Sequence, residues 1–241
     1  MAHEERGRLV WSDEFRGPPG APPDPSVWTH ETGAGGWGDE QLQRYTAATS
    51  NACLTASGHL ALTARREADG EITSARLVTK DTVTVEHGRV EARIRLPQGA
   101  GLWPAFWMLG ADIDTVGWPA CGEIDVMEHV GSEPSAVHGT VHGPGYSGIG
   151  GGVGGVCRGG RPLGSAFHVF GVTWSPDEIR WHVDGADYFR CGPDDVTGPW
   201  PFRHPFYLLL NLAVGGRWPG NRADGLRLPA TMLVDWVRVH D

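Results

Sequence analysis

Gly88-Arg-Val-Glu-Ala-Arg-Ile-Arg-Leu96 alternates charged and apolar side chains without a break. Successive side chains of a β-strand point to opposite faces, so such a segment turns Val90, Ala92, Ile94 and Leu96 inward and leaves its charges outside. Hardly any apolar run elsewhere in the 241 residues has the 3.6-residue spacing of a helix. With 36 glycines and 18 prolines to make turns, the chain reads as all-β, short strands joined by many turns. No repeat and no linker-like run divides it, so residues 1–241 are expected to form one domain with its core from about residue 9 onward.

One strand-like stretch carries far more charge than a scaffold needs. Gly122-Glu-Ile-Asp-Val-Met-Glu128 packs three carboxylates into six apolar-patterned residues. Strict alternation puts Glu123 and Asp125 on one face and Ile124 and Val126 on the other, but sends Glu128 into the apolar layer. An unpaired carboxylate there costs several kcal/mol. One extra residue near Met127, a β-bulge, returns Glu128 to the face of the other two. Four regular steps of ~3.3 Å then separate the glutamate backbones by roughly 13 Å, and side chains leaning together leave a gap of about 5 to 7 Å. Double-displacement glycoside hydrolysis needs ~5 to 5.5 Å. The plainer reading of three acids on a strand is a solvated edge or a cation site. Against it stand three nearby tryptophans, Trp103, Trp107 and Trp118, whose indole faces suit the C–H faces of sugar rings.

Glu-Ile-Asp-Val-Met-Glu, in that tryptophan setting, resembles the signature of glycoside hydrolase family 16 in the bulged form of its bacterial laminarinases, which are endo-β-1,3-glucanases. The resemblance runs from about Leu9 to the C-terminus. It implies a concanavalin-like β-jelly-roll sandwich of two antiparallel sheets, with a substrate cleft on the concave face. It also implies retaining hydrolysis of β-1,3-glucan, and possible action on mixed-linkage β-1,3-1,4-glucan is left open. Glu123 is then the nucleophile, Glu128 the general acid/base and Asp125 the assisting acid between them, with Glu128's pKa raised by its neighbours' charge. The alternatives are an agarase-like endo-galactanase of the same family and a non-catalytic β-glucan-binding jelly roll. Lectins of that fold that have lost catalysis usually lack one of the two glutamates, and both are present.

Further positions follow from the same resemblance. Trp103, Trp107 and Trp118 are expected at the cleft. So are Trp37 and Glu40, in a Trp-Gly stretch where the family's two asparagines and a glutamate are replaced by Asp39, Glu40 and Gln41. Arg76 matches a cleft arginine on a strand expected over 73–80, His142 the histidine beside the catalytic pair, and Asn211 a polar position in a buried strand, which needs a partner. His138 and His142 lie roughly 13 Å apart along a strand, too far for one zinc. Catalysis needs no cofactor. A structural calcium on the outer face is implied by groups matching Glu14, Gly58 and Asp235, whereas the plain reading of Asp235 is a surface acid. The glycine-rich stretch 143–160 lacks a phosphate-loop ending and is expected to be a mobile loop at the cleft.

Charge and composition narrow the partners. A net charge of −9 argues against nucleic acid, whose phosphates need a basic groove, and is indifferent to a neutral polysaccharide. No apolar span is long enough to cross a membrane. Residues 1–8 lack the apolar core of a secretory signal, which leaves a cytoplasmic protein or a secreted one whose signal is not part of this sequence; secretion, as a monomer, is the expectation. Four cysteines, Cys53, Cys121, Cys157 and Cys191, allow two disulfides in three pairings, and spacing cannot choose among them.

Overall fold

The alternation in Gly88–Arg95 is realised as a strand whose Val90, Ala92 and Ile94 are fully buried. In the computed structural model, which describes residues 7–220 and 226–241, it lies in the middle of an outer sheet. That sheet runs in the order Ala186–Cys191, Glu178–Val183, His168–Ser175, Gly88–Arg95, Ala230–His240, Leu60–Arg66, Ile72–Ser74 and Arg44–Tyr45. Leu9–Asp13 adds to Ala230–His240, so the first strand pairs with the last, and Ala52–Leu54 adds to Leu60–Arg66. All of its pairs are antiparallel except Arg44–Tyr45 with Ile72–Ser74.

The inner sheet runs Val153–Arg158, Ala136–His142, Glu123–Glu128, Leu102–Gly110, Phe206–Val214, Arg76–Val78 and Thr29–His30, with Thr84–Val85 also on Phe206–Val214. Between the sheets lies one large apolar core. Phe106, Ile124, Val126, Met127, Val137 and Val141 meet Val90, Ile94, Phe170, Trp174, Trp181 and Val237 there. Each large apolar side chain contributes about 1.5 to 3 kcal/mol on leaving water, so this layer holds the sheets together. The two-sheet jelly roll expected from the sequence is present.

Local turn chemistry works as anticipated at Asp184-Gly185, where both residues have positive φ (50° and 80°) and join Glu178–Val183 to Ala186–Cys191 as a two-residue hairpin. Two expectations need correction. The strand expected over 73–80 is two strands: Ile72–Ser74 belongs to the outer sheet and Arg76–Val78 to the inner one. Buried Ala75 is the crossing point, pinned by Leu212 N–H on its carbonyl and by Ser74 Oγ on Leu212's carbonyl. The stretch 143–160 is not all loop either, because Val153–Arg158 pairs along its whole length with Ala136–Val141. Within that strand glycine allows close approach: a Cβ at Gly155 would sit 2.5 Å from the Phe189 ring.

Candidate active site

The strand Glu123–Glu128 lies between Leu102–Gly110 and Ala136–His142. On the second neighbour the register steps from Asp125↔Thr140 to Glu128↔His138, so Val126 and Met127 together oppose Gly139. On the first, Phe106 pairs with Met127 and Trp107 with Asp125, which again leaves Val126 over. This is the bulge the sequence required. Ile124, Val126 and Met127 all enter the core, while Glu123, Asp125 and Glu128 share the other face. The glutamates stand opposite His142 and His138, four residues and roughly 13 Å apart on a regular strand.

Each acid is held by a named donor. Trp118 Nε1–H donates to Glu123 at 2.6 Å and Trp103 Nε1–H to Glu128 at 3.0 Å. Asp125, only 2% exposed, sits with Oδ2 3.2 Å from His142 Nε2. Burial, and then the charge of Asp125, pushes Glu123 up to about 8. Burial first and then the Asp125 charge also hold Glu128 well above the usual carboxylate range, and burial raises Asp125. Burial is therefore the leading cause at Glu128, ahead of the neighbouring charge expected from sequence. Three acids so placed do not all ionise together near neutral pH, and the shared proton belongs to the group as a whole. Such a trio offers one ionised and one protonated carboxyl at the same time, which is what acid-assisted displacement uses.

On one side of these acids the expected residues come together. Trp107 Nε1–H donates to Asn211 Oδ1 at 2.7 Å, and Asn211 Nδ2 donates to the Tyr45 hydroxyl at 3.1 Å, which supplies the partner the buried asparagine needs. The Arg76 guanidinium lies over the rings of Trp37 and Trp107, 5.0 and 4.7 Å from their centroids, and is paired with Glu31. Where the family has amides, Asp39 pairs with Arg217 at 3.2 Å, Gln41 accepts from Gln43 at 2.7 Å, and Glu40 is exposed with φ of 59°. Trp103 is 9% exposed and contributes mainly its N–H and one edge, whereas Trp118 is 47% exposed, with its ring tilted against that of His142 at 6.4 Å.

Four participants escaped the sequence reading. Trp218 meets Trp103 edge-on at 5.4 Å and His138 at 4.9 Å, so it walls the cleft beside Glu128. Tyr45, Gln43 and Glu31 complete the network around Asn211 and Arg76. Tyr45 and Gln43 could have been found, because Gln41-Leu-Gln-Arg-Tyr45 alternates as a strand does and puts the two glutamines and the tyrosine on one face.

Two sets of residues bear on a metal. Among the described residues the cluster of metal-ligating side chains is Glu123, Asp125 and His142, whose donor atoms lie within 4.8 Å of one another. On the outer sheet, Arg238 holds both oxygens of Glu14, at 2.8 and 3.0 Å, and Arg93 pairs with Asp235, with His59 Nε2 3.7 Å from it. Gly58 occupies a tight turn at φ 73° nearby in sequence. Calcium takes six to eight oxygens, and carboxylates already neutralised by two guanidinium groups do not fit as its side-chain ligands.

The chain matches the family model for glycosyl hydrolases family 16 over residues 40–238. It is 45% identical to a beta-glucanase of Rhodothermus marinus, across 96% of this chain and 84% of that one. With the glucan endo-1,3-beta-glucosidase A1 of Niallia circulans it shares 37% identity over 96% of its own length, though it spans only 37% of that longer protein. The X-ray structure of the endo-beta-1,3-glucanase from Pyrococcus furiosus superposes with a TM-score of 0.89 at 45% identity, covering 97% of this chain and 94% of that one. Together with the bulged strand and its three acids, these matches mean that the chain belongs to the glycosyl hydrolases of family 16.

Proposed function

We propose that the protein is an endo-acting, retaining hydrolase of β-1,3-glucan of the laminarin type, with mixed-linkage β-1,3-1,4-glucan as a second substrate. The observation that carries this reading is the bulge at Val126–Met127, which aims Glu123, Asp125 and Glu128 at one face between indole donors. Glu123 attacks the anomeric carbon as Glu128 passes its proton to the departing glycosidic oxygen. Glu128 then takes a proton from water, whose oxygen displaces Glu123 and restores the starting configuration. Asp125, tied to His142, keeps the proton inventory of the pair. Both the nucleophile and the proton come from the chain, so the cycle calls on no cofactor. A polysaccharide does not cross a membrane unaided, which favours action outside the cell.

Product analysis on laminarin, barley β-glucan, lichenan and agarose tests the proposal. A ladder of short β-1,3-linked oligosaccharides from laminarin, first formed as the β-anomer, is expected. Cleavage of agarose in preference to laminarin would establish the galactanase reading, and binding of laminarin without any product would establish the glucan-binding one.

A further inference from the structure

The catalytic strand is held in its bulged form from the opposite sheet. Trp181, fully buried on Glu178–Val183 of the outer sheet, donates its indole N–H across the core to the main-chain carbonyl of Asp125 at 2.8 Å. Asp125 is the last residue in register before the two-residue bulge. The inner sheet is notched to let the indole through. A Cβ on Gly139, the residue opposite the bulge, would lie 2.2 Å from Trp181 Cδ1 and 2.5 Å from the Tyr188 hydroxyl oxygen. Gly139 is not at positive φ, so glycine serves there for room rather than for conformation. Its cross-strand partner is Gly155, where a Cβ would meet Phe189 at 2.5 Å, and the Phe189 ring lies 5.1 Å from Trp181. Two paired glycines thus open one gap, filled by Trp181, Tyr188 and Phe189.

From this arrangement we infer that Trp181 is a positioning residue of the active site, its N–H on the Asp125 carbonyl fixing the bulge and so the relative aim of Asp125 and Glu128. The inference rests on the function proposed above. The physical reason is local. A bulge interrupts the ladder and leaves the strand free to bend at that point. A single directed hydrogen bond from a rigid, buried ring removes that freedom. Asp125 is the acid that faces both glutamates, so a change in its backbone alters the protonation of the trio as well as its geometry.

Trp174 provides the control. It too is a buried outer-sheet tryptophan, but it donates to the Phe202 carbonyl at 3.0 Å, outside the bulged strand. The experiment compares steady-state kinetics and pH–rate profiles on laminarin for the parent, Trp181→Phe, Trp174→Phe and a protein carrying β-(3-benzothienyl)alanine at position 181. That analogue replaces the N–H by sulfur at nearly unchanged volume, so it decides the question if Trp181→Phe does not fold. Loss of the N–H at 181 is expected to lower kcat about 10- to 100-fold, the effect of a small misplacement of catalytic groups. KM should stay within about threefold, and the pH–rate profile should shift. Trp174→Phe should lower the melting temperature comparably and leave kcat and the profile unchanged. Unchanged kcat and pH profile with the analogue, or equal kcat losses at 181 and 174, would overturn the inference while an active parent leaves the proposed function standing. A parent inactive on every glycan overturns both.

Discussion

At the scale of single residues, the two glutamates are proposed to differ in role although burial raises both. Glu128→Gln keeps the shape that accepts the Trp103 N–H but has no proton to give. Its turnover on laminarin is expected to fall by about 10²- to 10⁴-fold, and by much less on an aryl β-glucoside whose leaving group needs no proton. Equal loss on the two substrates would contradict the acid role. The same variant makes a second prediction, on stability. A carboxyl whose folded pKa is raised contributes stability that is complete below its unfolded value near 4.5 and is lost as pH rises through the folded value. Glu128→Gln should therefore melt above the parent at pH 8, and the difference should shrink toward pH 4. A melting temperature lower than the parent's at pH 8 would count against the raised pKa. At this scale the acids were legible because alternation leaves a lone glutamate in an apolar layer with no good alternative. The donors to them were less so: Trp103 and Trp118 were expected as stacking platforms, and what the structure shows is that each directs its N–H onto a glutamate. Sequence gives the residue type near a site, whereas the direction of an indole N–H depends on backbone geometry that composition does not specify.

At the scale of the element, the bulge decides which face Glu128 takes. Deleting Met127 would regularise the strand into a shorter form in which Val126 alone opposes Gly139, Glu123, Asp125 and the last glutamate still share a face, and the residues from His129 onward keep theirs. Laminarin activity is expected to fall about 10- to 100-fold, because losing the local bend and twist of the bulge resets the relative aim of Asp125 and Glu128. Met127→Leu, close in volume, should cost less than about 1.5 kcal/mol by chemical denaturation. Wild-type rates in the deletion variant would show that the bulge does not position the site. The bulge was legible because it solves a burial problem visible in six residues. The crossing at Ala75 and the strand Val153–Arg158 were not, because a change of sheet and a glycine-rich strand are both settled by what lies opposite. Gly155 makes sense only once Phe189 is seen pressing against it.

At the scale of the whole molecule, stability rests on the apolar layer between the sheets rather than on cross-links. All four cysteines are free, and burial pushes the thiols of Cys121 and Cys191 up to about 11, so they stay protonated. Millimolar dithiothreitol should leave the melting temperature unchanged, and a fall of several degrees would reveal a disulfide. The two-sheet architecture was legible from alternation and turn residues alone, since each inward apolar set needs a second sheet to cover it. The full sheet order was not legible, because it joins segments as distant as Gly88–Arg95 and Ala230–His240. The central claim is that this fold delivers Glu123 to the anomeric carbon of a β-1,3-glucan. Peptide mass spectrometry after reaction with an activated 2-deoxy-2-fluoro-laminaribioside, which slows breakdown of the glycosyl-enzyme, tests it most directly. A single adduct on Glu123 is the expected result, and an adduct on Glu128 or Asp125 would contradict the account.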